Sequence, residues 1–137
     1  MSYISIGFKP GEMKKIKYIA DMTGLTRTMI VRSILVEEFS RFDRENRDRD
    51  EIQMFFTKAK EEGKVRSLTV LLNDNMLEKM QPYLTITELK YSPFIRHLVT
   101  PVINHMYQEI QEKGEKGAIT IMTMATNSNK GIKGDIE

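Results

Sequence analysis

The chain contains no cysteine, so neither a disulfide nor a thiolate metal site is open to it. No run is apolar for long enough to span a membrane. Residues 1–8 alternate apolar and small polar types and lack the basic start and apolar run of a signal peptide. An intracellular setting is expected. Charge of one sign is not in excess either: 21 basic against 19 acidic residues leave a net +2. With 40% hydrophobic residues, that balance excludes a disordered polyelectrolyte and fits a folded chain. Catalytic constellations are missing as well. GEKG and GIKG lack the spacing of a phosphate-binding loop, and no paired carboxylates or nucleophile with a base stand out. His97 and His105 are a poor metal pair without cysteine nearby. The expectation is a non-enzyme with no cofactor, no metal, no membrane partner and no small-molecule substrate.

What is present is a repeat. Shifting the chain by 64 places lays Ile4, Ile6 and Phe8 over Leu68, Val70 and Leu72, all at the period of two expected of a strand. The same shift lays Met13, Ile16, Ile19 and Ala20 over Leu77, Met80, Tyr83 and Leu84 at helical spacing. Further on, Leu25, Ile30, Val31, Ile34 and Leu35 meet Leu89, Phe94, Ile95, Leu98 and Val99 without a gap. Each copy reads as strand, helix, turn, helix. The expected fold class is therefore mainly α with a short β-ribbon (α+β), as two tandem units at 1–48 and 65–112, with a connecting helix or linker at 49–64. The segment 113–137 reads as a flexible tail or, through AITIMTMA, an added edge strand.

Turn chemistry supports the junctions. Gly24 suits a left-handed cap and Thr26 an N-cap in the first copy. In the second, Asn73 or Asp74 caps the first helix, and Ser92 with Pro93 is expected to start the second helix about two places late. Pro82 and Pro101 predict kinks or early ends.

A lone seven-residue strand leaves its backbone groups unpaired, so the two strands must pair. Pairing within the chain makes a pseudo-dimer, and pairing between chains a homodimer or higher oligomer. With the apolar set facing the helices, Tyr3, Ser5, Gly7, Ser67, Thr69 and Leu71 face outward. A two-stranded antiparallel ribbon fits the DNA major groove, where such side chains reach base edges. Charge agrees: residues 1–42 hold seven basic and four acidic side chains. Lys14, Lys15 and Lys17 read as a solvated helix face.

The segment SYISIGFKPGEMKKIKYIADMTGLTRTMIVRSILVEEF resembles a unit of the ribbon-helix-helix superfamily, the Arc, MetJ and CopG type of repressor. RSLTVLLNDNMLEKM through SPFIRHLV resembles a second, diverged unit. The resemblance implies a sequence-specific regulator of transcription that binds double-stranded DNA. It assigns base contacts to Tyr3, Ser5, Ser67 and Thr69, and phosphate contacts to Thr26, Arg27 and Thr28 at a helix start. Lys9 and Arg66, at the strand ends, are further candidates for the backbone. Tandem units in one small chain are also similar to regulators encoded by archaeal viruses, which would place the protein in host cytoplasm. The alternative is an antitoxin-like or assembly protein that keeps the fold without strong DNA readout. Lys90 and Glu88 stand where the first copy has Thr26 and Gly24.

Overall fold

The structure is a computed structural model that describes residues 1–59 and 63–136, with side chains up to Ser128. Residues 60–62 of the expected connecting segment, and Glu137 of the tail, lie outside that description. The chain is mainly helical with one small antiparallel sheet, an α+β arrangement. In chain order the elements are β1 (Ser2–Phe8), α1 (Pro10–Thr23), α2 (Arg27–Arg44), α3 (Arg49–Phe55), β2 (Arg66–Leu72), α4 (Asp74–Thr87), α5 (Tyr91–Lys113) and α6 (Glu115–Ile136). The starts of β1 and β2, of α1 and α4, and of α2 and α5 are all 64 places apart.

β1 and β2 pair within the chain, with Ser2 opposite Leu72, Ser5 opposite Thr69 and Phe8 opposite Arg66. Alternation sends Ile6, Phe8, Leu68, Val70 and Leu72 into the core, where each is at most 8% exposed. A two-stranded ribbon is unstable alone and needs cover on its apolar face. The cover is crossed: β1 lies against α5 and β2 against α2. Hydroxyls tie the same crossing, as Gly7 N donates to Ser92 Oγ at 2.8 Å and Thr28 Oγ1 to the Thr69 carbonyl at 3.4 Å.

Local chemistry sets the helix ends. Lys9 N donates to Glu12 Oε1 at 2.7 Å and Pro10 opens α1. Gly24, at φ 76°, closes α1 in the left-handed region. Thr26 Oγ1 accepts from Met29 N at 3.1 Å, and Asn73 Oδ1 from Asn75 N at 2.8 Å. Among the described residues no helix is long and apolar enough to cross a membrane.

Three expectations give way here. Helix α5 does not start late: Lys90 is its N-cap, and Ser92 serves the strand instead of the helix end. Of the kinks or early ends expected at the two prolines, the early ends are overturned, since α4 continues through Pro82 to Thr87 and α5 through Pro101 to Lys113. Packing along each helix outweighs the donor that proline removes. Of the expected tail, Glu115–Ile136 is neither an edge strand nor a loose end but α6, which turns back at Gly114 onto α1, α2 and α5. Ala118, Ile121 and Ala125, all buried, fall at helical spacing within the segment that reads as alternating, and Ser128 continues the same face. Gly117 permits the approach, because a Cβ there would lie 2.7 Å from the Glu109 carbonyl oxygen.

One side of the core, between α2, α3, α4 and α5, is aromatic. Phe56 of the α3 C-terminus stacks on Phe94 at 4.6 Å, and Phe39, Phe42 and Tyr83 close around them. A fully buried side chain such as Phe94 contributes about 1.5–3 kcal/mol. Burial, then its hydrogen bond to Asp43, pushes the Tyr83 phenol up to about 12.

Candidate nucleic-acid interface

Three residue pairs form the outer face of the ribbon: Tyr3 with Leu71, Ser5 with Thr69, and Gly7 with Ser67. Directly opposite residues of an antiparallel pair project to the same side. Tyr3 is 74% exposed, and Ser5, Ser67 and Thr69 are exposed beside it. All four candidate base-contacting residues thus share one open surface. Gly7 departs from the expectation, since it is buried and its amide is held by Ser92. Ser5 is paired with its own repeat counterpart Thr69, which puts an approximate twofold relation through that central pair.

Beside the Arg66 end of the ribbon lies a cleft of 620 Å³ between α1, the start of α2 and β2. Thr26, Arg27 and Arg66 line it, together with Lys14, Lys17 and Asp21. Among the described residues none of its four cations is in an ion pair. An α-helix supplies no internal acceptor for its first amides, so those of Arg27 and Thr28 add partial positive charge to this corner. The arrangement suits a phosphate group.

The predicted phosphate set is only partly assembled. Thr28 is half-buried and its hydroxyl is turned to the ribbon backbone. Lys9 is exposed but lines a separate cleft with Lys58, Arg96 and His97. Lys14 and Lys17, read from the sequence as a solvated face, belong to the basic cleft, whereas Lys15 turns away to Asn104 Oδ1 at 2.9 Å. The available signal was their position one turn apart, on the stripe of α1 that includes Pro10 and Asp21.

The matching corner of the second half is built differently. Asp74, Glu78 and Gln81 occupy the places of Pro10, Lys14 and Lys17, and Lys90 and Tyr91 those of Thr26 and Arg27. The Tyr91 hydroxyl donates to the Leu77 carbonyl at 3.3 Å and accepts from Gln81 Nε2. Ser2 Oγ donates to Asp74 Oδ1 at 2.7 Å. At this corner the N-terminal ammonium also holds Asp74, at 2.9 Å, so the carboxylate is paired, and the aromatic residue is engaged internally. Comparisons with protein-family models, curated proteins and solved structures returned no match to this chain.

Proposed function

We propose that the chain consists of two tandem ribbon-helix-helix units paired within one molecule, and that it is a sequence-specific, double-stranded-DNA-binding regulator of transcription. The observation that carries this reading is the outward face of Tyr3, Ser5, Ser67 and Thr69 lying next to a cleft whose four cations have no ion-pair partner among the described residues. The ribbon enters the major groove, and its hydroxyls exchange hydrogen bonds with base edges. Arg27, Arg66, Lys14 and Lys17 hold the phosphates beside that groove, so affinity comes from the cleft and specificity from the ribbon. No chemical step is assigned to the protein, and its place of action is wherever the duplex lies, inside the cell.

A salt titration of binding to enriched and random duplexes tests this. Each phosphate contact contributes about −0.9 to the slope of log K against log salt. Arg27→Ala is expected to lower the slope by about one such contact while preserving the ranking of sequences. Tyr91→Ala, at the matching place of the second half, is expected to leave the slope unchanged. A chain that binds no duplex at low salt, or an Arg27→Ala slope equal to that of the parent, would overturn the reading.

A further inference from the structure

We infer that the ribbon is polar along its length: its Tyr3–Leu71 end reads thymine through the C5 methyl in one half of the DNA site, and its Arg66 end anchors the backbone of the other half. This rests on the DNA-binding reading and specifies the base chemistry of that same site.

The repeat relates the two ends of the ribbon, but their side chains are not alike. At one end a phenol ring, 74% exposed, stands opposite Leu71. In the middle are the two hydroxyls of Ser5 and Thr69, and at the other end Gly7 faces Ser67. Large apolar surface is thus offered at one end and almost none at the other. Among the base patterns of the major groove, thymine alone presents a methyl group, and ring and leucine together supply the apolar contact that would bury it. Serine and glycine cannot.

Charge is distributed in the opposite sense. Arg66 extends the ribbon beyond Gly7, opposite Phe8, and the basic cleft with Arg27, Lys14 and Lys17 opens there. Beyond Tyr3 the corresponding positions hold Glu78 and Asp74, the latter paired with the N-terminal ammonium at 2.9 Å, so no cluster of unpaired cations matches that cleft among the described residues. A duplex is a polyanion, so its backbone is gripped at the Arg66 end, and the Tyr3 end adds affinity only through contact with bases. A backbone of approximate twofold symmetry therefore reads a site that is not a palindrome.

The test uses the full chain. Sequences enriched from a random duplex pool are resynthesised with each thymine in turn as deoxyuridine, which removes only the methyl. A second set carries neutral methylphosphonates in one half or the other. Uracil should weaken binding by about fourfold per contacted methyl, the effect of burying one such group. These positions should lie in one half, with the methylphosphonate effect largest in the other. Tyr3→Ala should abolish the uracil penalty and Tyr3→Phe should retain it; because Tyr3 is exposed, both variants should keep the parent circular dichroism. Uracil without effect, penalties shared equally by both halves, or penalties that persist in Tyr3→Ala would overturn the inference while leaving DNA binding intact. Failure to bind any duplex would instead overturn the DNA reading, and this inference with it.

Discussion

The stretches 2–44 and 66–113 follow one backbone plan and present different chemistry at nearly every matching surface position. In the first, a helix begins at a threonine cap beside four cations; in the second, at Lys90 beside a tyrosine already bonded within its own half. Inside, the order is reversed. Ile30 and Ser33 of the first half are matched by Phe94 and His97, which receive α3 through Phe55 and Phe56. At those two positions the first half has no such aromatic pair; α6 packs across α1 and α2 of the first half and α5 of the second, through Ala118, Ile121 and Ala125. Pairing two unequal copies lets one keep an open charged surface while the other takes up packing.

The most drastic way to break the comparison is to separate the halves. β1 has its partner strand and its covering helix α5 in the other half, and the Gly7–Ser92 bond crosses the same boundary. Residues 1–48 alone are therefore expected to unfold or to dimerise, read by circular dichroism and by mass in solution. Mixing them with residues 63–137 should restore helical signal in a one-to-one complex. A folded monomer of residues 1–48 would show that the halves do not depend on each other.

A subtler probe exchanges the helix ends. Gly24 at φ 76° and Glu88 at φ 58° hold the same left-handed cap position, and a side chain there carries a steric cost of about 1–2 kcal/mol that glycine avoids. Part of that gain is offset by the greater freedom of glycine in the unfolded chain. Glu88→Gly is expected to stabilise by about 1 kcal/mol in urea unfolding, and Gly24→Ala to destabilise by about as much. No atom lies within 4 Å of a Cβ built at Gly24, so the cost there is one of backbone conformation. Equal and opposite shifts would make the two caps equivalent; a loss at both would mean that Glu88 has a role beyond the turn.

Strand alternation and helical spacing made β1, β2 and the repeat's helices α1, α2, α4 and α5 legible, because burial on one face leaves a period in the sequence. The tail was not legible in the same way. AITIMTMA alternates in polarity, but its buried face is set by Ala118, Ile121 and Ala125 meeting α2 and α5, and such long-range contacts leave no local mark. Ser92–Pro93 has the chemistry of a helix start, yet the strand claims the hydroxyl and the helix begins at Tyr91. On the ribbon's outer face, alternation sufficed to place Tyr3, Ser5, Ser67 and Thr69 together. Gathering Lys14 and Lys17 with Arg27 and Arg66 required knowing that α1 and β2 share a cleft.

The smallest expected effect concerns the aromatic side of the comparison. His97 stands where the first half has Ser33, whose hydroxyl merely returns to the Ile30 carbonyl of its own helix. His97 Nε2 instead meets the Phe55 carbonyl oxygen at 2.8 Å, and its ring lies 5.1 Å from that of Phe55 and 5.0 Å from that of Phe56. Burial lowers the pKa of His97 below its ordinary 6.5; the bond to Phe55 works against that shift and the charge of Arg96 adds to it. Lys9, Lys58 and Glu12 line the same cleft, so the local field is set mainly by cations. A histidine with a depressed pKa binds its proton more readily when unfolded, so its contribution is present above the ordinary value and is lost as pH falls below it. The urea midpoint should therefore decline between pH of about 7.5 and about 5.5, a window above the ordinary range of carboxylates. In His97→Gln, which keeps a donor for Phe55 and does not titrate, the decline should vanish. Parallel declines in parent and variant would assign the pH dependence elsewhere and leave His97 and Ser33 equivalent in this respect.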